Sequence, residues 1–313
     1  MATKTRVLII IAVVMAITVV LLVTRHTGPV GKLRAAFSAE FLTRPDEYEG
    51  LSNQYGFSFL SPPLNMDIGL MYKAVADGAV DVICAFATDG RIPAYDLFIL
   101  KDDKGFFPPY YAAPLIREDT LDRYQVIEEI LNRLGNEISD ETMQRLNYEV
   151  DEEGRKATEA ARNFLVAHNF IPADAKPGPG SAGRIVIGSK EFTEQEILGE
   201  MMAIMIECNS NIEVERKLNL GGTMICFNAL KAGDLDLYPE YTGTALVNIL
   251  KYDVISDPDK TYKVVQEAFG KKYGLKWLKP FGLNNTYTLT MRRPHAEELG
   301  LKTISDLAGY INE

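Results

Sequence analysis

The chain has 313 residues, of which 47% are apolar and 24% charged, and its formal net charge is −10. That is enough chain for two lobes of ordinary size, and the acidic balance argues against nucleic-acid binding, which needs a basic face. Three cysteines (Cys84, Cys208, Cys226) with no CxxC pair, and only His26, His168 and His295, argue against a disulfide framework or a zinc centre.

In chain order, Lys4 and Arg6 precede an apolar run from Val7 to Val23. The run is near the lower limit of about 17–25 residues for a spanning helix, and longer than the apolar core of about 7–15 residues in most signal peptides. No small-x-small site comes after it, so an uncleaved anchor is expected, with a cleaved signal as the alternative. Lys4 and Arg6 favour an N-terminus inside the cell, although Arg25 and Lys32 weaken that orientation.

Leu33–Phe37 then reads as a strand, Asp67–Ala76 as a helix stopped by Asp77-Gly78, Val80–Phe86 and Tyr95–Leu100 as strands, Leu121–Leu134 as one amphipathic helix and Thr158–His168 as another. Residues 171–183 are rich in Pro and Gly and have the composition of a linker. Beyond them, Arg184–Gly188 is a strand, and Thr193-Glu194-Gln195-Glu196 has the form of a capping box opening a helix. Further strands are expected at Ile212–Leu220, Leu235–Tyr238, Lys276–Phe281 and Thr286–Met291. Helices are expected from Thr223, near Ala245–Leu250, at Thr261–Lys272 and from Thr303. Strands alternating with helices on both sides of the linker indicate an α/β fold.

Three tyrosine-bearing stretches stand out: Tyr238-Pro239-Glu240-Tyr241-Thr242-Gly243-Thr244, Asn284-Asn285-Thr286-Tyr287 and Phe106-Phe107-Pro108-Pro109-Tyr110-Tyr111. A strand end running into a helix start is where open α/β sheets place ligand contacts. Tyrosine rings there offer their faces to a cation and their hydroxyls to an acceptor, so the three stretches can build a cage for a small cation. Tyr238 lies inside its strand and reads as core. Tyr110 and Tyr111 face opposite ways if extended.

The stretch Ile185-Val186-Ile187-Gly188-Ser189-Lys190-Glu191-Phe192-Thr193-Glu194-Gln195 resembles the opening of substrate-binding proteins of glycine betaine/carnitine/choline ABC importers. Tyr238–Thr244, Asn284–Leu289 and Lys302–Leu307 resemble later stretches of the same family. So do Glu40–Asp46, Ala87–Ile92, Phe106–Pro114 and Leu146–Val150, from the part before the linker. In the family the segment like 184–310 comes first and the segment like 33–168 second; here the order is reversed, as in a circular permutation. The alternative is a fusion of two truncated copies whose halves pair between chains.

The resemblance implies a two-lobe periplasmic-binding-protein-like fold (type II), with a hinge and an interlobe cleft, preceded by one transmembrane helix. The expected division is 1–31 anchor or signal, 32–92 with 293–313 as one lobe, 93–170 with 184–292 as the other, and 171–183 as linker. The crossings between lobes are expected near Thr88–Pro93 and Met291–Pro294. It also implies Tyr241, Tyr287 and Tyr110 as cage rings, Thr244 and Asn285 as polar contacts, and Lys190 and Arg44 facing a ligand carboxylate. Phe86 stands where many members carry tyrosine, which keeps a ring face and loses a hydroxyl, and Tyr111 is a further candidate. No cofactor, metal or catalytic residue is implied. The partners implied are a quaternary ammonium ligand, an ABC permease and ATPase on other chains, and the membrane through the N-terminal helix. A ligand-sensing ectodomain without transport is the alternative.

Overall fold

The computed structural model describes residues 33–43 and 45–313, without the side chains of residues 45 and 46. Val7–Val23 and Arg44 lie outside the described residues. Among those described, no helix is long and apolar enough to cross a membrane.

The described strands, numbered β1 to β10 in chain order, build two sheets of five. The first contains β1 (Ala35–Phe37), β2 (Leu64–Asn65), β3 (Val82–Phe86), β4 (Leu97–Leu100) and β10 (Tyr287–Arg292), in the order β2-β1-β3-β10-β4. The second contains β5 (Ala112–Arg117), β6 (Gly183–Gly188), β7 (Ile212–Lys217), β8 (Leu237–Tyr241) and β9 (Leu275–Trp277), in the order β7-β6-β8-β5-β9. In the first sheet, β1 runs parallel to β2 and β3, and β10 antiparallel to β3 and β4. The second repeats that plan, with β6 parallel to β7 and β8, and β5 antiparallel to β8 and β9. The central strands β3 and β8 are buried along nearly their whole length, as expected of sheets covered by helices on both faces.

Local chemistry explains several helix ends. Asp67 caps Ile68–Ala76 by accepting from the Gly69 N–H, and Gly78 takes φ +74° just beyond its end. Thr303 and Asp306 form a reciprocal capping box at Ile304–Asn312. The similar signature at Thr193 does not act that way. The helix there, Thr193–Asn209, has Phe192 at its cap position with no side-chain cap; Thr193 donates to Asp151 instead, and Glu194 turns inward. This helix is buried on almost every side, including Ile197, Leu198, Met201, Met202 and Met205.

Other sequence expectations need correction. Leu121–Leu134 is two helices, Glu118–Arg123 and Val126–Asn132, broken where Tyr124 leaves helical geometry (φ −136°, ψ 67°). Residues 171–182 form no helix or strand, and this connection is packed against the second unit: Ile171 is buried, Gly178 N–H donates to Glu207 O, and Ala182 N–H donates to Asn211 O; it is no correction of the expected linker. The chain passes between the sheets at residues 101–111 and 278–286, not at 88–93 and 291–294. Pro93 lies inside a short helix, Arg91–Ala94, and Pro294 in the first turn of Arg293–Glu298, where a missing N–H costs nothing; both helices stay with the first sheet. The two crossing segments are bonded antiparallel through the Tyr111–Asn284 bridge, Asn285 N–H to Tyr110 O (3.2 Å) and Ala112 N–H to Leu283 O (3.3 Å).

The first sheet's turn at 87–90 also touches the helix Asp140–Asp151 of the second unit. Gln144 Nε2 donates to Ala87 O (2.7 Å) and Asn147 Nδ2 to Thr88 O (2.9 Å). At Gly90 a Cβ would lie 2.5 Å from Tyr148 N and 2.6 Å from Gln144 O, both backbone atoms that cannot step aside. Gly90→Ala is therefore expected to cost about 1–3 kcal/mol of stability, read as a lower thermal unfolding midpoint. An unchanged midpoint would mean that the units do not meet this closely.

Candidate functional site

The crossing gathers aromatic rings. Tyr287 opens β10 directly opposite Phe86 at the end of β3. Its ring centroid is 5.0 Å from Phe86, 5.6 Å from Phe41, 5.7 Å from Tyr110 and 6.1 Å from Phe107, with Tyr110 edge-on at 80°. Tyr110 is placed by close approach. A Cβ on Gly243 would fall 2.8 Å from its ring, and Thr242 fixes the neighbouring backbone by donating to Pro109 O (2.8 Å) and accepting from Tyr111 N–H (3.1 Å). Three sequence candidates, Phe86, Tyr110 and Tyr287, thus meet in one cluster, joined by Phe41 and Phe107. Tyr111 has no ring contact with that cluster; with Lys101, Asn284 and Thr286 it lines a cavity of about 290 Å³ along the crossing segments, and Phe107 and Tyr287 of the cluster line the same cavity.

Tyr241 ends β8 and is linked to that cluster by polar atoms. Its hydroxyl donates to Glu194 Oε1 at 2.7 Å, and Asn285 Nδ2 donates to the same oxygen at 3.0 Å. Glu194 Oε2 accepts from the Thr88 hydroxyl and, at 3.4 Å, from Asn147 Nδ2. Glu194 is 2% exposed. Around it, Asn285 Oδ1 and Asn147 Oδ1 are buried without a hydrogen-bond partner. Gln195 accepts from the Lys190 N–H (3.2 Å), and its buried Nε2 has no hydrogen bond of good geometry. Phe192, 41% exposed, stacks on Tyr241 with centroids 6.2 Å apart. Thr244 is half-buried.

Lys190 has a partner inside the protein. Its ammonium donates to Glu240 Oε1 at 2.5 Å, with Lys190 5% and Glu240 0% exposed. Glu240 also accepts from the Tyr238 hydroxyl (2.8 Å) and the Tyr241 N–H (2.6 Å), and Tyr238 is fully buried in the core, as its position in the strand implies. The Lys190 charge is therefore already matched, and its Nζ sits 5.0 Å from the Tyr241 ring centroid. Arg44 lies outside the described residues. Sequence reasoning missed Glu194, Thr88, Asn147, Phe41 and Phe107 as members of the site. The one signal for Glu194 was a family-like motif, in which it was read as part of a helix cap.

A family profile, OpuAC, described as the substrate binding domain of ABC-type glycine betaine transport systems, matches residues 24–167 and 183–313. The chain belongs to this family.

Among relatives of this substrate-binding domain, a carnitine transport binding protein of Listeria monocytogenes is 40% identical over 126 residues, covering 40% of this chain and 41% of that protein. A glycine-betaine-binding protein of Pseudomonas aeruginosa is 34% identical over 148 residues, covering 47% of each. The chain spans less than half the length of each. A crystal structure of a glycine betaine/carnitine/choline ABC transporter shares 38% identity over 45% of this chain and 51% of that one, with a TM-score of 0.39.

Burial dominates the electrostatics of the binding domain's site. It raises the Glu194 carboxyl above the usual 4.5, while bonds from Thr88, Tyr241, Asn147 and Asn285 pull it back. The Tyr241 hydroxyl is held well above 10.0 by burial and by the neighbouring Glu194 charge. A carboxyl whose folded value exceeds its unfolded one binds its proton more tightly when folded. Its contribution to stability is largest below the unfolded value and is lost as pH rises through the folded value. Glu194→Gln removes that titration. The unliganded variant is expected to lose less stability than the parent between pH 4.5 and neutrality, as thermal melts across the range would record; parallel curves would contradict it.

Proposed function

We propose that this chain is an extracytoplasmic solute-binding protein. It captures a quaternary ammonium compatible solute (glycine betaine, proline betaine, carnitine or choline) and delivers it to an ABC permease and ATPase carried on other chains. The observation that carries this reading is the meeting of Tyr287, Tyr110 and Phe86 in one ring cluster, with Tyr241 tied to it through Glu194 and Asn285. A quaternary ammonium group has no N–H to donate and is covered in methyl groups. Ring faces answer such a cation, at about 0.5–2 kcal/mol per contact.

Thr244 and Asn285 are assigned as polar contacts. A ligand carboxylate would share Lys190 with Glu240, and Arg44 is the second cation assigned to it. Tyr111, in the crossing cavity, is assigned to the rim. The units built on the two sheets act as lobes that close on the ligand by bending at the crossings.

The same proposal takes the two halves as circularly permuted and closing within one chain. Support comes from the family profile, which matches in two pieces on either side of residues 168–182, and from relatives that align with about half the chain at a time. Strands from both halves also share each sheet. The apolar run Val7–Val23 is proposed as a single-pass anchor that leaves the binding domain outside the cytoplasm.

Calorimetric titration of the full chain with the four candidates tests the reading. At least one is expected to bind saturably, and Tyr241→Ala and Tyr287→Ala are each expected to weaken it about tenfold or more. Binding of none of the four would refute the assignment.

A further inference from the structure

Glu194 is a buried carboxylate whose partners are all uncharged: the Thr88 and Tyr241 hydroxyls and the Asn147 and Asn285 amides. All four present donors, the arrangement that an ionised acceptor satisfies. The neighbouring buried charges are matched in pairs. Lys190 is bound to Glu240 at 2.5 Å, and Arg91 to Asp89 at 2.6 Å. Summed over these five described groups, one negative charge, that of Glu194, has no cationic partner among the described residues. Such a charge is costly in a buried place unless a cation answers it.

We propose that Glu194 is the positioning residue that makes the site select a cation over a neutral molecule of the same shape, acting through Tyr241. This rests on reading the site as a quaternary ammonium cage. The Tyr241 hydroxyl donates to Glu194 Oε1 at 2.7 Å. A phenol that donates to an anion gains electron density in its ring, and the ring face then draws a cation more strongly. Lys190 lies 5.0 Å from that ring, but its charge is answered by Glu240, so the pull on a second cation is set by Glu194. The same carboxylate fixes Asn285, just before Tyr287, and holds Thr88, just after Phe86. One anion therefore positions the segments that carry three of the proposed cage rings.

The test compares choline with its neutral carbon isostere, in which a tert-butyl group replaces trimethylammonium. Glycine betaine and its own carbon isostere form a second pair. Each compound is titrated into the full wild-type chain, Glu194→Gln and Tyr241→Phe. The wild type is expected to prefer the cation by about tenfold or more. Each variant should lose at least about threefold of that preference, through weaker binding of the cation and nearly unchanged binding of the isostere. An equal loss for both members of a pair makes Glu194 merely structural and overturns the proposal, as does an unchanged preference. If Glu194→Gln does not fold, Tyr241→Phe, which keeps the ring and removes the hydroxyl, decides the matter alone. A wild-type chain that binds neither cation overturns the cage reading and this proposal with it. A wild type that binds them with a preference the variants keep overturns only this proposal.

Discussion

Two antiparallel stretches of chain, 101–111 and 278–286, hold the molecule together. Each leads from a strand of one sheet into a strand of the other, and they are bonded to each other through Tyr110, Tyr111, Leu283, Asn284 and Asn285. Bonded segments cannot slide independently, so the register of the crossing sets where Tyr110 stands relative to Tyr287. It also sets how β5 enters between β8 and β9, and how β10 enters between β3 and β4. The ring cluster is thus a by-product of sheet register: Phe86 and Tyr287 stand on paired strands, and Tyr110 and Phe107 on a crossing segment whose backbone is bonded to its partner.

The charges behind the rings obey a different logic. A soluble protein gains little by burying an ion pair, since desolvation offsets the attraction. Yet Lys190 and Glu240 are buried together beneath Tyr241, and Glu194 is buried with hydroxyl and amide partners alone. Departures of this kind concentrate at functional sites, where stability is traded for a field that is ready before the ligand arrives. Asn147 and Asn285 each keep a buried oxygen unpaired, in the same place and of the same sense.

Much of the fold was legible in the sequence. Apolar runs located β3, β6 and β8 to within a few residues, and the helices expected at Asp67–Ala76 and from Thr303 are present, each with a side-chain cap. What escaped was decided by tertiary partners. β5 was not expected, since Pro114 stands in the middle of it. Its proline is tolerated because it faces Pro239 in the neighbouring strand, which confines the missing N–H groups to one rung of the ladder. The pattern at Thr193 matched a capping box as well as the one at Thr303 did, but Asp151 captured the Thr193 hydroxyl and the buried site took Glu194. The aromatic members Tyr287, Tyr110 and Phe86 were found from residue type and family likeness. Phe41 and Phe107 lay within stretches already singled out, but only the folded chain brings their rings to Tyr287. Lys190 was recognised as important, but a sequence cannot show that Glu240, fifty positions on, already holds it.

The unequal make-up of the two sheets bears on how the molecule is born. The strands of the second sheet all lie between Ala112 and Trp277, an unbroken stretch, whereas the first sheet needs Tyr287–Arg292 wedged between two strands translated long before. On the ribosome the second sheet can be complete while the first still has an open slot between β3 and β4, flanked by bare apolar edges. Such a half-built sheet is prone to pairing with the wrong neighbour. Closing the slot is a long-range, entropically slow event, so biogenesis of this protein hinges on keeping β3 and β4 apart from other chains until β10 emerges.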